Sequence, residues 1–427
     1  MKKQRLAFWA ATTAILTQPA LADELIELDT ITVSGSLTPV AINESGASVE
    51  VLDGADVEVS DSRLIDSLDR LPGVTSSSTG GLGGSTSIQI RGLPARYVGV
   101  RINGIDVSDP SGTQNQFDFG GLTGAGLGRI EVLKGSQSAL YGSEAIGGLV
   151  DIFSWRPSED GFSGEVQAEG GRYNTYSGAL SLGYRGDRGE VALTYSHVQS
   201  DGFSASAADT EDDGFDQDML TFYGAYDVTD ALTFGVTGFY IDGEADFDPF
   251  GGIAGTLLNE QLGLRGFARL TTGAVTHELS YSKLDITRED TSPGAFTPKF
   301  DGERTELAYL GSADLGAMTR LNFGFEYTEE EFAAGFDSGD KDNTAVNAEL
   351  LWSPAETVDL SLALRHDEDS DFGGETTGRL AAVWRPAEGW AVRGVAGTGF
   401  RAPSLFERFS GFGTTTLQPE TSDSYEL

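Results

Sequence analysis

Seven carboxylates lie between positions 201 and 218 (Asp201, Asp209, Glu211, Asp212, Asp213, Asp216 and Asp218) with no Lys or Arg among them. A second run, Asp242, Glu244, Asp246 and Asp248, is equally free of basic residues. Carboxylates crowded in this way repel one another unless a hard cation gathers their oxygens, which is the chemistry of calcium sites built on loops. The same runs would also serve as a plain solvated acidic face. The reading adopted is a calcium site on Glu211, Asp213, Asp246 and Asp248, with Asp242 as a further ligand.

A different chemistry is offered by Asn103, Asp106, Ser108, Asp109, Ser111, Gln114, Asn115 and Gln116. Mostly neutral and rich in donors and acceptors, they lie in or after an Asn103-Gly104 hairpin signal. Such a set suits the binding of a solute by hydrogen bonds. Catalysis has no comparable constellation. His197, His277 and His366 are scattered, and the chain has no HExxH and no phosphate loop ending in Lys-Ser/Thr. Gly80 to Gly84 is glycine-rich but lacks the strand–loop–helix setting a nucleotide needs. The chain reads as a binding or transport protein and not as an enzyme.

Composition narrows the class. The 427 residues carry 66 acidic and 28 basic side chains, a formal charge of −38, which excludes a protein that works by neutralising nucleic acid. Cysteine is absent, so disulfides, thiolate chemistry and Cys-based metal centres are excluded too. The 57 glycines, with aromatics at 10%, point to sheet and loop.

The elements that must position these residues begin after an export signal. Lys2, Lys3 and Arg5 precede an apolar run from Leu6 to Leu16, and Ala20-Leu21-Ala22 supplies a small-x-small cleavage site. Residues 1–22 therefore read as a signal peptide cut after Ala22. No later stretch is long and apolar enough for a spanning helix, so a membrane form must be a barrel.

From 157 to 427 apolar and polar residues alternate in segments of about ten, as in Val191-Leu193-Tyr195 and Leu360-Leu362-Leu364, the pattern of strands with one lipid face and one lumen face. Short connections (185–189, 227–230, 353–356, 385–389) alternate with long ones expected near 199–217, 242–259, 284–302 and 329–342. That asymmetry favours an outer-membrane barrel over a soluble sandwich. About 13 strands are expected between 162 and 398. The closing SDSYEL reads as the start of another strand, and the expectation is a barrel incomplete at its C-terminus.

Residues 37–156 read as a compact α+β domain. Val57 to Leu71 has helical spacing ended by Pro72-Gly73, and strands are expected at 87–91, 98–102, 105–107, 129–133 and 149–153, with a helical turn at 136–141. Placed before a wide barrel, such a domain would fill the lumen, held by polar contacts without an apolar interface. Arg91, Arg129 and Glu131 are candidates for buried ion pairs.

Several stretches resemble the TonB-dependent outer-membrane receptors. LDTITVSGS resembles the TonB box, with Asp29, Thr30, Ile31, Thr32 and Val33 as its core and 23–36 as box and linker. LPGV at 71–74, IRG at 90–92 and RIEVLKGSQSALYGSEAIGGLVDI at 129–152 resemble the plug signatures, and GFRAPSLFERF at 399–409 resembles a mid-barrel motif. The resemblance implies a transmembrane antiparallel β-barrel, of about 22 strands when complete, enclosing an α+β plug. It further implies active import by a monomeric receptor set in outer-membrane lipid and energised by a TonB-like periplasmic protein, without nucleotide or redox cofactor. The 109–117 region looks most like the vitamin B12 (corrinoid) branch; ferric siderophore or heme is the alternative cargo. TEDDGF at 210–215 resembles that branch's calcium-binding stretch, although Glu211 and Ser204 stand where those receptors carry Asp.

Overall fold

The computed structural model describes residues 31–32, 34–54, 57, 63–206, 211–249, 254–294 and 299–427. The signal segment 1–22 and Asp29, Thr30 and Val33 of the box lie outside the described residues. So do 207–210, in the first acidic run, and 250–253, just after the second.

The N-terminal part contains β1 (Ile31–Thr32), β2 (Val40–Ala41), β3 (Ser48–Asp53), α1 (Leu64–Leu68), β4 (Val74–Ser78), β5 (Thr86–Ile90), β6 (Val98–Ile102), β7 (Ile105–Asp106), β8 (Leu127–Lys134), α2 (Ser138–Tyr141) and β9 (Gly148–Ser154). Five of these strands form one sheet in the order β3-β8-β9-β6-β7, with β6 and β9 parallel. The hairpin joining β6 and β7 turns at Asn103 and Gly104, whose φ values of 52° and 77° are what this tight turn demands of an Asn-Gly pair. Neither β3 nor β4 is among the expected strands; β4 carries one aliphatic residue, Val74, while β3 alternates Val49 and Val51 over only six residues.

The rest of the chain is one antiparallel sheet of fourteen strands joined in sequence order. They are β10 (Gly161–Gly170), β11 (Tyr176–Gly186), β12 (Gly189–Ser200), β13 (Phe215–Thr229), β14 (Leu232–Phe247), β15 (Gly255–Thr272), β16 (Val275–Asp290), β17 (Lys299–Asp314), β18 (Thr319–Ala334), β19 (Asp337–Ala355), β20 (Val358–Asp369), β21 (Gly373–Trp384), β22 (Val392–Arg401) and, after α3 (Leu405–Phe409), β23 (Glu420–Glu426). Outward rows such as Tyr195, Leu220, Tyr240 and Leu262 run across adjacent strands and make the lipid-facing band.

Three of the four long loops are corrected. The segments expected near 242–259, 284–302 and 329–342 are mostly strand, leaving connections of 248–254, 291–298 and 335–336. Strands of 16 to 19 residues exceed the roughly ten needed to cross the bilayer, so the wall continues past the membrane. Backbone ladder bonds are satisfied there regardless of side chain, and acidic residues that look like loop can extend a strand.

The sheet wraps the N-terminal domain, and part of the contact is apolar, contrary to expectation. Met219, Phe239, Ile241, Leu284 and Ile286 of the wall join the same buried cluster as Leu64, Ile90, Val100, Val107, Phe117, Phe119 and Ile152 of the plug. Removing these surfaces from water favours docking at about 25 cal/mol per Å².

Candidate transport site

The short turns between wall strands mark the periplasmic end and place the 108–121 segment of the plug at the outer end. The wall reaches this segment with two ion pairs. Arg304 of β17 pairs with Asp106, and Arg288 of β16 pairs with Asp109 at 2.8 Å. Each carboxylate also shapes its own loop. Asp106 Oδ1 accepts from the Ser108 amide at 2.9 Å, and Asp109 Oδ1 accepts from the amide and hydroxyl of Ser111 at 2.8 and 2.7 Å.

The proposed ligand-binding set is therefore divided by the structure. Asn103 is buried, its Oδ1 accepting from the Ser154 amide at 3.0 Å, so it braces the hairpin. Ser108 and Ser111 are buried in the docked loop, and Asp106 and Asp109 serve as bolts to the wall. Asn115 is buried and donates from Nδ2 to Glu144 Oε1 at 2.7 Å, while its Oδ1 has no hydrogen-bond partner. Gln114 and Gln116 are half-exposed and make no side-chain hydrogen bond among the described residues. These two, with the orphaned Asn115 Oδ1, are the polar groups left for a solute.

Sequence reasoning missed Glu144, Arg304, Glu330, Lys341 and Arg365, which line a cavity of about 90 Å³ between plug and wall. Glu330 holds both Arg304 and Lys341, the latter at 3.0 Å. Burial pushes the Glu144 carboxyl up from its ordinary range, opposed by the nearby Arg304. Strand parity would have marked these wall residues as inward-facing, but no sequence signal pairs them with the plug. The 399–409 motif folds as the end of β22 and the capped helix α3. Its Ser404 hydroxyl donates to the Thr113 carbonyl at 3.1 Å, and the Ala402 amide donates to Ser143 Oγ at 2.9 Å. This outer loop rests on the plug.

At the other end the chain from Ser34 to Ser36, just past the expected TonB box, forms a buried strap. β1 pairs with β2 through Ile31–Ala41 and Thr32–Val40, so this part of the box is held by a short ladder and not loose. Ser34 then donates from its amide and hydroxyl to Glu131 Oε2, both at 2.9 Å, and its carbonyl accepts the Tyr141 hydroxyl at 2.9 Å. Ser36 Oγ and the Leu37 amide both donate to Glu349 Oε2 on the wall, at 2.6 and 2.9 Å. Asp151 accepts from Ser34 Oγ at 3.0 Å, and burial raises its carboxyl to about 6, against the lowering effect of Arg101. Of the expected buried group, Arg129 meets Glu131 at 2.9 Å, whereas Arg91 is exposed and reaches Glu426 on β23 at 2.6 Å instead.

The calcium residues do not assemble into one shell. Asp242 sits exposed within β14, opposite Asp218 and Glu260 on the flanking strands. Asp213 and Asp246 flank Gly214, with Asp213 accepting from the Ala205 amide at 2.7 Å and Asp246 from the Thr256 hydroxyl at 2.8 Å. Both carboxylate oxygens of Asp248 are shielded from solvent and have no hydrogen-bond partner among the described residues, a state a cation would relieve. Glu211 lies at the border of the undescribed 207–210. Among the described residues no three acidic or histidine side chains converge to hold a metal.

A lipid-facing β-wall around a plug is the architecture of an outer-membrane transport receptor. Residues 154–427 match the family "TonB dependent receptor-like, beta-barrel" and residues 41–149 match "TonB-dependent Receptor Plug Domain", and the chain belongs to the TonB-dependent receptors. Among curated proteins it is 28% identical over 437 residues to "Vitamin B12 transporter BtuB" of Photobacterium profundum, covering 100% of this chain and 71% of that one. The protein of the same name from Vibrio vulnificus is 24% identical over 440 residues, with the same coverage. Among solved structures, the siderophore receptor PirA of Acinetobacter baumannii superimposes with a TM-score of 0.72 at 16% identity, covering 88% of this chain and 67% of that one. PirA of Pseudomonas aeruginosa gives 0.71 at 20%, covering 88% and 70%. At those identities the structures establish the fold alone. The chain is thus an outer-membrane protein of TonB-dependent transport.

Proposed function

We propose that the cargo is a corrinoid such as vitamin B12. It would be held between Gln114, Gln116 and the outer loops and released when a TonB-like periplasmic protein pairs with Asp29–Val33 and draws on the plug. The observation that carries this reading is the alignment of the whole chain with proteins named as vitamin B12 transporters. Electrostatics supports it. The basic wall residues nearest the plug's outer segment, Arg288, Arg304, Lys341, Arg365 and Arg408, are each already committed to a carboxylate. A weakly charged corrinoid needs no free cation, whereas an anionic ferric chelate does. Calcium belongs to the same proposal as an ordering ion for the outer corner, supported by the orphaned Asp248 carboxylate.

The test is energised uptake by cells carrying this receptor, offered labelled cobalamin and a panel of ferric siderophores and heme in parallel. Cobalamin uptake that requires the box is the expected result. Uptake of a ferric chelate with no cobalamin uptake would replace the corrinoid reading by the siderophore one.

A further inference from the structure

The outward surface of the wall is not uniform. Two consecutive rows run across four strands near the periplasmic end. Tyr184, Val191, Gly224 and Val236 are successive partners in one, and Gly186, Gly189, Tyr226 and Phe234 in the next. Three of these eight positions are glycine, so the exposed side chains of Tyr184, Val191, Tyr226, Phe234 and Val236 rim a hollow of about 730 Å³. Gly224 leaves its floor open, since a Cβ there would meet nothing nearer than Val236 Cγ1 at 4.0 Å.

The hollow has a polar end. Asp187 and Arg188, the turn between β11 and β12, line it and are both exposed. Four other arginines near the periplasmic rim are tied to carboxylates, Arg185 to Glu190, Arg269 to Glu278, Arg320 to Asp314 and Arg385 to Asp359, and Arg393 is held by the Ser45 and Ile42 carbonyls. Among the described residues Arg188 has no such pair, although the chain has 66 acidic side chains. Its carbonyl accepts from the Asp227 amide at 2.7 Å, which fixes the turn beside the hollow.

We propose that this hollow is a binding site for one zwitterionic phospholipid of the periplasmic leaflet. An acyl chain lies over Gly224 between the tyrosines. Guanidinium and phosphate form a charge-assisted pair at Arg188, and Asp187 receives the ammonium of an ethanolamine headgroup. Adjacent charges of opposite sign match a zwitterion better than an anionic lipid, which has no ammonium to meet Asp187. Tyr184 and Tyr226 supply the amphipathic rings that favour the membrane interface. The site is independent of the cargo and of the plug.

The test is native mass spectrometry of the receptor extracted in mild detergent, titrated with phosphatidylethanolamine and phosphatidylglycerol of matched chains. The native protein should retain one phosphatidylethanolamine in preference to phosphatidylglycerol. Arg188→Gln should lower retention about tenfold, the worth of one hydrogen bond to a charged group. Asp187→Asn should erase the headgroup preference, and Gly224→Leu should reduce retention of both lipids by filling the floor. Ala348→Leu, on the lipid-facing side of β19, should change nothing. Heat-modifiable gel migration reports folding of each variant, and Arg188→Gln, in an exposed turn, carries the test should Gly224→Leu misfold. Equal retention by the native protein and Arg188→Gln, no preference between the two lipids, or lipopolysaccharide in place of phospholipid would each overturn the proposal.

Discussion

The Ser36 hydroxyl donates to Glu349 Oε2 at 2.6 Å, joining a residue just past the TonB box to a fully buried carboxylate on the barrel wall. Glu349 also accepts from the Leu37 amide, Asn322 Nδ2 and the Ser361 hydroxyl. A pull on the chain before Ser34 would load the β1–β2 ladder and the Ser34 contacts first and this cluster after them. Ser36→Ala should weaken the strap by about 1 kcal/mol, and Glu349→Ala by about 2–3 kcal/mol because it orphans several buried donors. Hydrogen exchange over 34–38 should rise in that order; unchanged protection in Glu349→Ala would show that the strap is held elsewhere.

Proline at Ile31 or Thr32 removes a backbone donor from the short ladder with Val40–Ala41 and from any strand added by a partner. Energised uptake should be lost while equilibrium binding of cargo to isolated outer membranes stays intact. Loss of binding in step with uptake would mean that the substitution had disturbed the plug and not the partner contact.

The strap should also respond to pH through Asp151. Its carboxyl is raised to about 6 in the fold, against about 3.9 when unfolded. The folded state therefore binds more protons between these values. The stabilisation is complete below the unfolded pKa and is lost as pH rises through about 6. Ser34, Arg101, Glu131 and Arg265 are the groups facing it. Protection at Ser34–Thr38, taken relative to the base-catalysed intrinsic exchange rate at each pH, should be lower at pH 7.5 than at pH 5, and Asp151→Asn should flatten that difference.

Arg304 joins Asp106 of the plug to Glu330 of the wall with its side chain buried. Arg304→Ala strands Asp106 on the plug, while Glu330 keeps Lys341, and should cost about 1.5–3 kcal/mol of plug docking. Arg304→Lys should recover only part, since one ammonium cannot reproduce a planar fork. Sensitivity of cells to bulky antibiotics reads out the loosened plug. Wild-type resistance in Arg304→Ala would assign docking to the apolar contact at Phe239 and Leu284.

Within the plug's outer segment, Gln114→Ala and Gln116→Ala should each lower cargo affinity several-fold, the effect of one lost hydrogen bond. Asn115→Ala should act by a different route, freeing Glu144 and loosening the loop, so its effect should appear in thermal stability as well. Full affinity in the Gln114/Gln116 double variant would move the cargo site off the plug.

Calcium should bind the intact receptor in calorimetry and protect the 201–214 loop from proteolysis, with magnesium acting poorly because it demands tighter octahedral geometry. Asp248→Asn should weaken binding more than Asp242→Asn, since Asp242 is exposed on β14 and Asp248 has shielded, unpartnered oxygens. Absence of any heat at millimolar calcium would remove the ion from the proposal.

Much of this architecture was legible in the chain itself. Alternation in β12, β14, β18 and β20 marks strands because successive side chains must point to opposite faces, and the lipid admits only one kind on one of them. Asn103-Gly104 encodes its hairpin because two consecutive positive φ angles are tolerated by few other pairs. The plug motifs are local strings, readable without a partner in space. What the sequence could not supply is which distant residues meet. Asp106 and Asp109 look like ligand groups until Arg304 and Arg288 arrive from strands nearly two hundred positions away. Asn115 looks like a free amide until Glu144 closes on it. Acidic ends of strands look like loops, since charge lowers strand propensity locally while the ladder of neighbouring strands overrides it. Tertiary structure decided the site because a polar side chain's role depends on whether burial gives it a protein partner or leaves it for a solute, and burial is a property of the assembled fold.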